Sequence, residues 1–255
     1  MTFWEHLDEL RKVLLRMAAL TFVVMAIAFG CKELLFDVVL APNNPDFVTY
    51  RWVEKVLGAE REFEPLTVQM ISTNLTTQFV VHLRMALYAG LLIASPYLVW
   101  LLFGFISPGL YENERKYVRK TAIWACVAFF IGLLLSYYVI FPFSLQFLAA
   151  YRVDVEIVNM FTLNSYVDTL MLMGLMMGVL FEMPVVAWLL AELGVLRVDM
   201  LKRYRRHAVV LIVALAAIIT PTTDIFTLML VSGPIYLLYE LSVAIVAKVE
   251  KKHCG

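Results

Sequence analysis

The sequence predicts an all-α membrane protein with six transmembrane helices, the fifth and sixth of them short. Three observations lead there. Of 255 residues, 62% are hydrophobic and 16% charged, and the mean hydropathy is +0.81. Both are far from the averages of soluble domains. The apolar residues fall into long runs separated by polar breaks. The Lys and Arg side chains are dealt out between those runs and not pooled in one basic domain, so the zero net charge points to topology and not to nucleic acid.

The chain reads as one integral unit over residues 1–255. Thr2 with Glu5 makes a capping-box pattern, and Phe3, Leu7, Leu10 and Leu14 share a helical face, which predicts an amphipathic helix lying along the membrane surface. A first span covers about residues 17–40. Its Gly30-Cys31 pair resembles a lipoprotein cleavage site, but Phe29 is bulky where a small residue is needed and the leader is acidic as well as basic. The run is therefore a retained helix. Residues 41–78 contain Pro42, Pro45 and Pro65 and many acids, and predict a folded outer loop with a short helix near Tyr50 to Leu57.

Spans follow at 79–103 and 121–141, then a second polar loop from Pro142 to Ser165, then spans at 166–193, 208–220 and 225–246. Ser107-Pro108 stops one helix and starts the next, since Ser caps and Pro suits the first helical position. The fifth span, about 13 residues or roughly 20 Å, is shorter than a hydrocarbon core of about 30 Å. Either its helix outruns its apolar stretch or the bilayer thins beside it.

One set of loops and ends carries Arg11, Lys12, Arg16, the cluster Arg115 to Lys120, Arg197, the cluster Lys202 to Arg206, and Lys248, Lys251 and Lys252. The other carries Lys32, Arg51, Lys55, Arg61 and Arg152. Positive residues mark the cytoplasmic side, so both termini and the 105–115 stretch are expected there. Arg84, left inside the second span with His82, is expected to snorkel to the headgroups.

Several carboxylates draw attention. Asp8 has Lys12 and Glu112 has Lys116 four residues on, the orientation of a local helical pair, whereas Glu9 and Glu114 have no such partner. Glu182 lies within the fourth span, in line with Gly174 and Gly178, a groove that admits another helix, and Pro184 is expected to bend the helix just after it. Its readings are a satisfied structural carboxyl, a polar anchor for a partner, or a proton-coupled site. Asp224 is expected to cap the sixth helix, and Pro234 and Glu240 predict a kink and a cytoplasmic-side polar contact.

Four motifs occur in order: His6-Leu-Asp-Glu-Leu-Arg11, Phe105-Ile-Ser-Pro-Gly-Leu-Tyr-Glu-Asn-Glu-Arg115, Phe181-Glu-Met-Pro184 and Thr220-Pro-Thr-Thr-Asp224. With six spans, the chain resembles TatC, the multispanning subunit of the twin-arginine protein translocase. The resemblance implies a glove-like, concave helical fold in the bacterial inner membrane. It implies a receptor for twin-arginine signal peptides, delivering folded cargo by the proton motive force. Its site acids correspond to Glu9 and Glu114, with His6, Leu10, Arg11, Pro108, Tyr111 and Arg115 as the motif residues around them. A guanidinium takes a carboxylate in a two-bond fork that Lys cannot copy.

The same resemblance places Glu182 and Pro184 in the concave face. It assigns Pro42, Asp224 and Glu240 to outer-side and partner-docking positions, for TatA, for TatB where a separate TatB exists, and for further copies of the chain among the lipids. Two departures are Gln78, where the family commonly has Pro, and the long acidic first outer loop. Cys31, Cys126 and Cys254 are scattered, with no metal-ligand spacing, no phosphate-binding loop and no nucleophile elbow. No cofactor, metal or enzymatic activity is therefore expected. The competing reading is a proton-coupled secondary transporter using Glu182, although no two halves of the chain repeat visibly.

Overall fold

The computed structural model describes residues 3–57, 67–106, 115–151, 154, 159–220 and 224–254. Helix α1 (Phe3–Gly30) packs along α4 (Thr77–Ile106), with α2 (Lys32–Leu40) and α3 (Val48–Leu57) between them in sequence. Helix α5 (Arg115–Leu135) runs through one turn of π-helix, Ser136–Ile140, into α6 (Phe141–Ala150). Helices α7 (Leu163–Phe181) and α8 (Met183–Glu192) form the fourth pass. A short α9 (Val198–Arg203) leads to α10 (Arg205–Ile219) and α11 (Ile225–Cys254). Two two-residue strands, β1 (Met70–Ile71) and β2 (Phe161–Thr162), pair in parallel and tie the two loops at one end of the bundle. The core is lined by Val81, Met85, Ile140, Met173, Met177 and Ile235.

Among the described residues, five passes are long and apolar enough to cross a membrane. The remaining pass, α10, fifth in order, has 15 residues. At 1.5 Å per residue it spans about 22 Å, still short of a hydrocarbon core of about 30 Å. Extension of the helix by Arg205 and Arg206 therefore does not close the gap. Local thinning is expected: spin labels placed along 208–220 should report headgroup-like polarity at both helix ends, and full-depth burial throughout would reject it.

Several boundaries differ from the sequence expectations, each for a physical reason. The N-terminal segment is not a separate surface helix, because 3–29 contains neither Gly nor Pro and α1 runs unbroken to Gly30. The break comes at Cys31 (φ −96°, ψ 47°), which splits the expected 17–40 run in two. The polar loop expected from Pro142 is helix to Ala150. Pro142 falls in the first turn of α6, where its missing N–H is tolerated. Thr49 donates from Oγ1 to the Tyr138 carbonyl within the π turn, a satisfaction that such bulges require. Helix α11 continues past its apolar run to Cys254, so the sixth helix is 30 residues long.

The capped end of the bundle explains Pro42. Lacking an N–H, Pro42 leaves the Val38 carbonyl without its helical donor, and Tyr137 fills the vacancy from its hydroxyl at 2.6 Å. The Tyr166 hydroxyl serves Val39 in the same way at 2.9 Å. Pro42 itself is buried, and its carbonyl accepts from the Tyr50 hydroxyl at 2.9 Å. Burial pushes the Tyr50 phenol above its ordinary range, against a smaller opposing effect from Gln146, so it stays a donor.

Candidate functional site

At the end opposite this cap, three contacts gather the helix termini. His6 of α1 stacks on Phe105 of α4, with ring centroids 4.4 Å apart and planes 23° apart. Lys120 of α5 lies 5.7 Å from the centre of the Trp188 ring of α8. The Val198 N–H donates to Glu250 of α11 at 3.3 Å. The first motif thus meets the start of the second through two aromatic rings.

On α1, Glu9 and Leu10 are half-buried and Arg11 is exposed. Glu9 forms no ion pair with any described residue. The Asp8–Lys12 pair expected from spacing does not form either. Both side chains are exposed, and an exposed pair gains little over solvation against the entropy of holding two long side chains. Pro108, Tyr111, Glu112 and Glu114 lie outside the described residues. Arg115 opens α5, but its side chain, like that of Lys116, is not described. The structure therefore sets the first motif beside Phe105 through His6, and the second half of the candidate site lies outside the described residues.

Glu182 sits at the junction of α7 and α8 in non-ideal geometry (φ −70°, ψ −17°), with Pro184 buried in the first turn of α8. One carboxyl oxygen, Oε1, is buried without a hydrogen-bond partner among the described residues. The Gly174/Gly178 face does not hold a helix backbone as expected. An added Cβ at Gly174 would strike the Tyr88 hydroxyl, and one at Gly178 would lie 2.7 Å from the Phe129 ring. The close backbone approach belongs to Gly132 of α5, whose Cβ would stand 2.5 Å from the Met177 carbonyl oxygen.

One cross-helix ion pair escaped the sequence reading, and at Glu240, where a polar contact was expected, the identity of its partner did. Arg84 does not snorkel freely: it binds both carboxylate oxygens of Asp168 on α7, at 2.8 and 3.0 Å. The available signal was an opposite charge, Asp168, near the same end of a neighbouring span. Glu240 is held by Arg205, which also donates to the Tyr236 hydroxyl at 3.1 Å. Asp224 caps α11 by accepting from the Thr227 N–H at 2.6 Å. Among the described residues no group of His, Cys, Asp and Glu has the arrangement of a metal site.

Comparison with known proteins places this set of helices. The family described as TatC, Sec-independent protein translocase protein, matches residues 5–234. The chain belongs to the TatC family. A TatC of Koribacter versatilis (strain Ellin345) is 34% identical over 99% of this chain and 88% of its own. The TatCy of Bacillus subtilis (strain 168) is 32% identical over 96% and 88%. A crystal structure of the twin-arginine translocase receptor TatC superposes with a TM-score of 0.77 at 25% identity, covering 96% of this chain and 99% of that one.

The six-pass architecture is that of TatC, and the chain is a multi-pass membrane component of the Sec-independent protein translocase, a transport subunit. Membership in a translocase also implies partner subunits.

Proposed function

We propose that this protein is the receptor subunit of its translocase, binding twin-arginine signal peptides at the α1–α4 end and organising TatA-type partners and further copies of itself for export of folded proteins by the proton motive force. That end faces the cytoplasm of a bacterial inner membrane, with both termini there. The supporting charge pattern is the concentration of Lys and Arg on the loops and ends of this side. The observation that carries the reading is Glu9: a half-buried carboxylate without a described ion-pair partner, beside the His6–Phe105 stack that joins the first two motifs.

Glu9 supplies one guanidinium acceptor and Glu114 the other, with Leu10, Arg11, Pro108, Tyr111 and Arg115 shaping the surface around them. A forked, charge-assisted bond from each carboxylate explains a preference for Arg over Lys. Glu182 with Pro184 offers a polar anchor to a single-span partner. Pro42, Asp224 and Glu240 act through shape, holding the cap, the α11 start and the α10–α11 pair on which partners dock.

The test is binding of a labelled Arg-Arg signal peptide and its Lys-Lys twin to the purified protein, repeated with Glu114→Gln. Tighter binding of Arg-Arg that disappears in the variant supports the site. Equal binding of both peptides, indifferent to Glu114, rejects it.

A further inference from the structure

The angle between α9, α10 and α11 holds an open groove of about 1010 Å³. Its position follows from the chain reversal after α8. Gly194 takes a left-handed conformation (φ 70°), and the Val195 N–H returns to the Leu190 carbonyl at 2.9 Å, the pattern that closes a helix and redirects the chain. Met200 of α9 and Leu211 and Ala214 of α10 line the groove and are exposed in the isolated chain. Arg206 and His207 line it as well.

The charge around this groove is one-sided. Residues 197–207 hold Arg197, Lys202, Arg203, Arg205 and Arg206 against one acid, Asp199. Arg205 is occupied by Glu240. Lys202, Arg203 and Arg206 are exposed and form no ion pair among the described residues. An apolar trough lined by Arg206, with Lys202 and Arg203 close by in sequence, matches a molecule with a hydrocarbon tail and an anionic head. The adjoining helix is α10, the 15-residue pass, beside which headgroups must lie closer to the bilayer centre than elsewhere.

The geometry points to a binding site for an anionic phospholipid, its acyl chain along Met200, Leu211 and Ala214 and its phosphate against Arg206, with Lys202 and Arg203 of α9 adding charge. Such a lipid fills the step that the short helix leaves in the membrane edge. It also covers apolar surface that no described element of the chain covers. The complementarity is of both shape and sign, which distinguishes it from the apolar belt of the longer helices.

Native mass spectrometry of the delipidated, detergent-purified protein tests this, with dioleoyl-phosphatidylglycerol and dioleoyl-phosphatidylcholine supplied at equal concentration. Preferential retention of one phosphatidylglycerol is expected. Arg206→Gln should lower that retention about fivefold, the effect of one basic residue at an anionic surface, and the Lys202→Gln/Arg203→Gln/Arg206→Gln triple variant should abolish the preference. Ala214→Trp, which adds bulk at an exposed groove position without altering charge, should reduce retention of both lipids.

Equal retention of the two lipids by the unaltered protein would overturn the proposal. So would unchanged phosphatidylglycerol retention in both Ala214→Trp and the triple variant, provided each elutes as the unaltered protein does on gel filtration. Displacement of the lipid by glycerol 3-phosphate at the same concentration would reassign the groove to a free phosphate. Copurification of a polypeptide that crosslinks at Leu211 in place of lipid would reassign it to a protein partner.

Discussion

Glu9→Ala is expected to weaken signal-peptide binding by roughly ten- to a hundredfold, the range set by losing a hydrogen-bonded charge pair of about 1.5–3 kcal/mol. Two neighbours make the comparison internal. Asp8 is exposed on the same turn while Glu9 is half-buried, so Asp8→Ala should bind within about twofold of the unaltered protein, as exposed charges contribute little. Glu9→Gln keeps an acceptor but loses the charge and should fall between the two. Titration of labelled peptide, with circular dichroism to show intact helix, decides the matter. Equal affinities for the Glu9 and Asp8 variants would remove Glu9 from the site.

Gly132→Ala should be the most damaging methyl addition among the described glycines with ordinary φ. Its Cβ would meet the Met177 carbonyl oxygen at 2.5 Å and the Phe181 ring at 2.8 Å. A backbone atom cannot swing away as a side chain can, so α5 and α7 must separate. Overpacking of this kind costs about 1–3 kcal/mol, and Gly132→Val should exceed it. At Gly90, between α1 and α4, the clash is milder, with Met25 N at 2.9 Å and the Thr21 carbonyl at 3.0 Å.

Gly104, inside α4 with no described atom within 4 Å of its missing Cβ, is the control. Gly104→Ala should hold or raise the melting temperature, since Ala is favoured over Gly in a helix by about 1 kcal/mol. Thermal unfolding in detergent reads all three. A Gly132→Ala protein as stable as Gly104→Ala would mean that the α5–α7 contact is not a close backbone crossing.

The separation of Glu9 from Asp8 was legible only in part before the structure. Spacing along a helix singled out Glu9 as lacking an i+4 cation, and that holds among the described residues. The same rule paired Asp8 with Lys12, and the structure does not, because in water the rule states an opportunity worth a few tenths of a kcal/mol. The signals carried by one stretch of chain were readable: apolar runs long enough to span, Pro42 ending a helix, Asp224 capping one, Pro184 interrupting the fourth pass at Glu182.

What had to wait for the tertiary structure are the matters settled between helices. Arg84 could snorkel or pair, and the choice fell to how α7 is rotated and how deep Asp168 lies on it. Glu240 found Arg205 from a helix that starts 35 residues earlier. Gly174 and Gly178 had the spacing of a helix-packing groove, yet Tyr88 and Phe129 fill it, and Gly132, alone in its stretch, takes the backbone contact. Pro142 looked like the end of a span, yet the helix runs on through it, with Thr49 serving the Tyr138 carbonyl four residues back. Composition and periodicity act through forces along the chain, so they determine which segments are helical and which are apolar. Rotation and depth of one helix against another arise from packing across segments distant in sequence, and no repeat within a single helix encodes them.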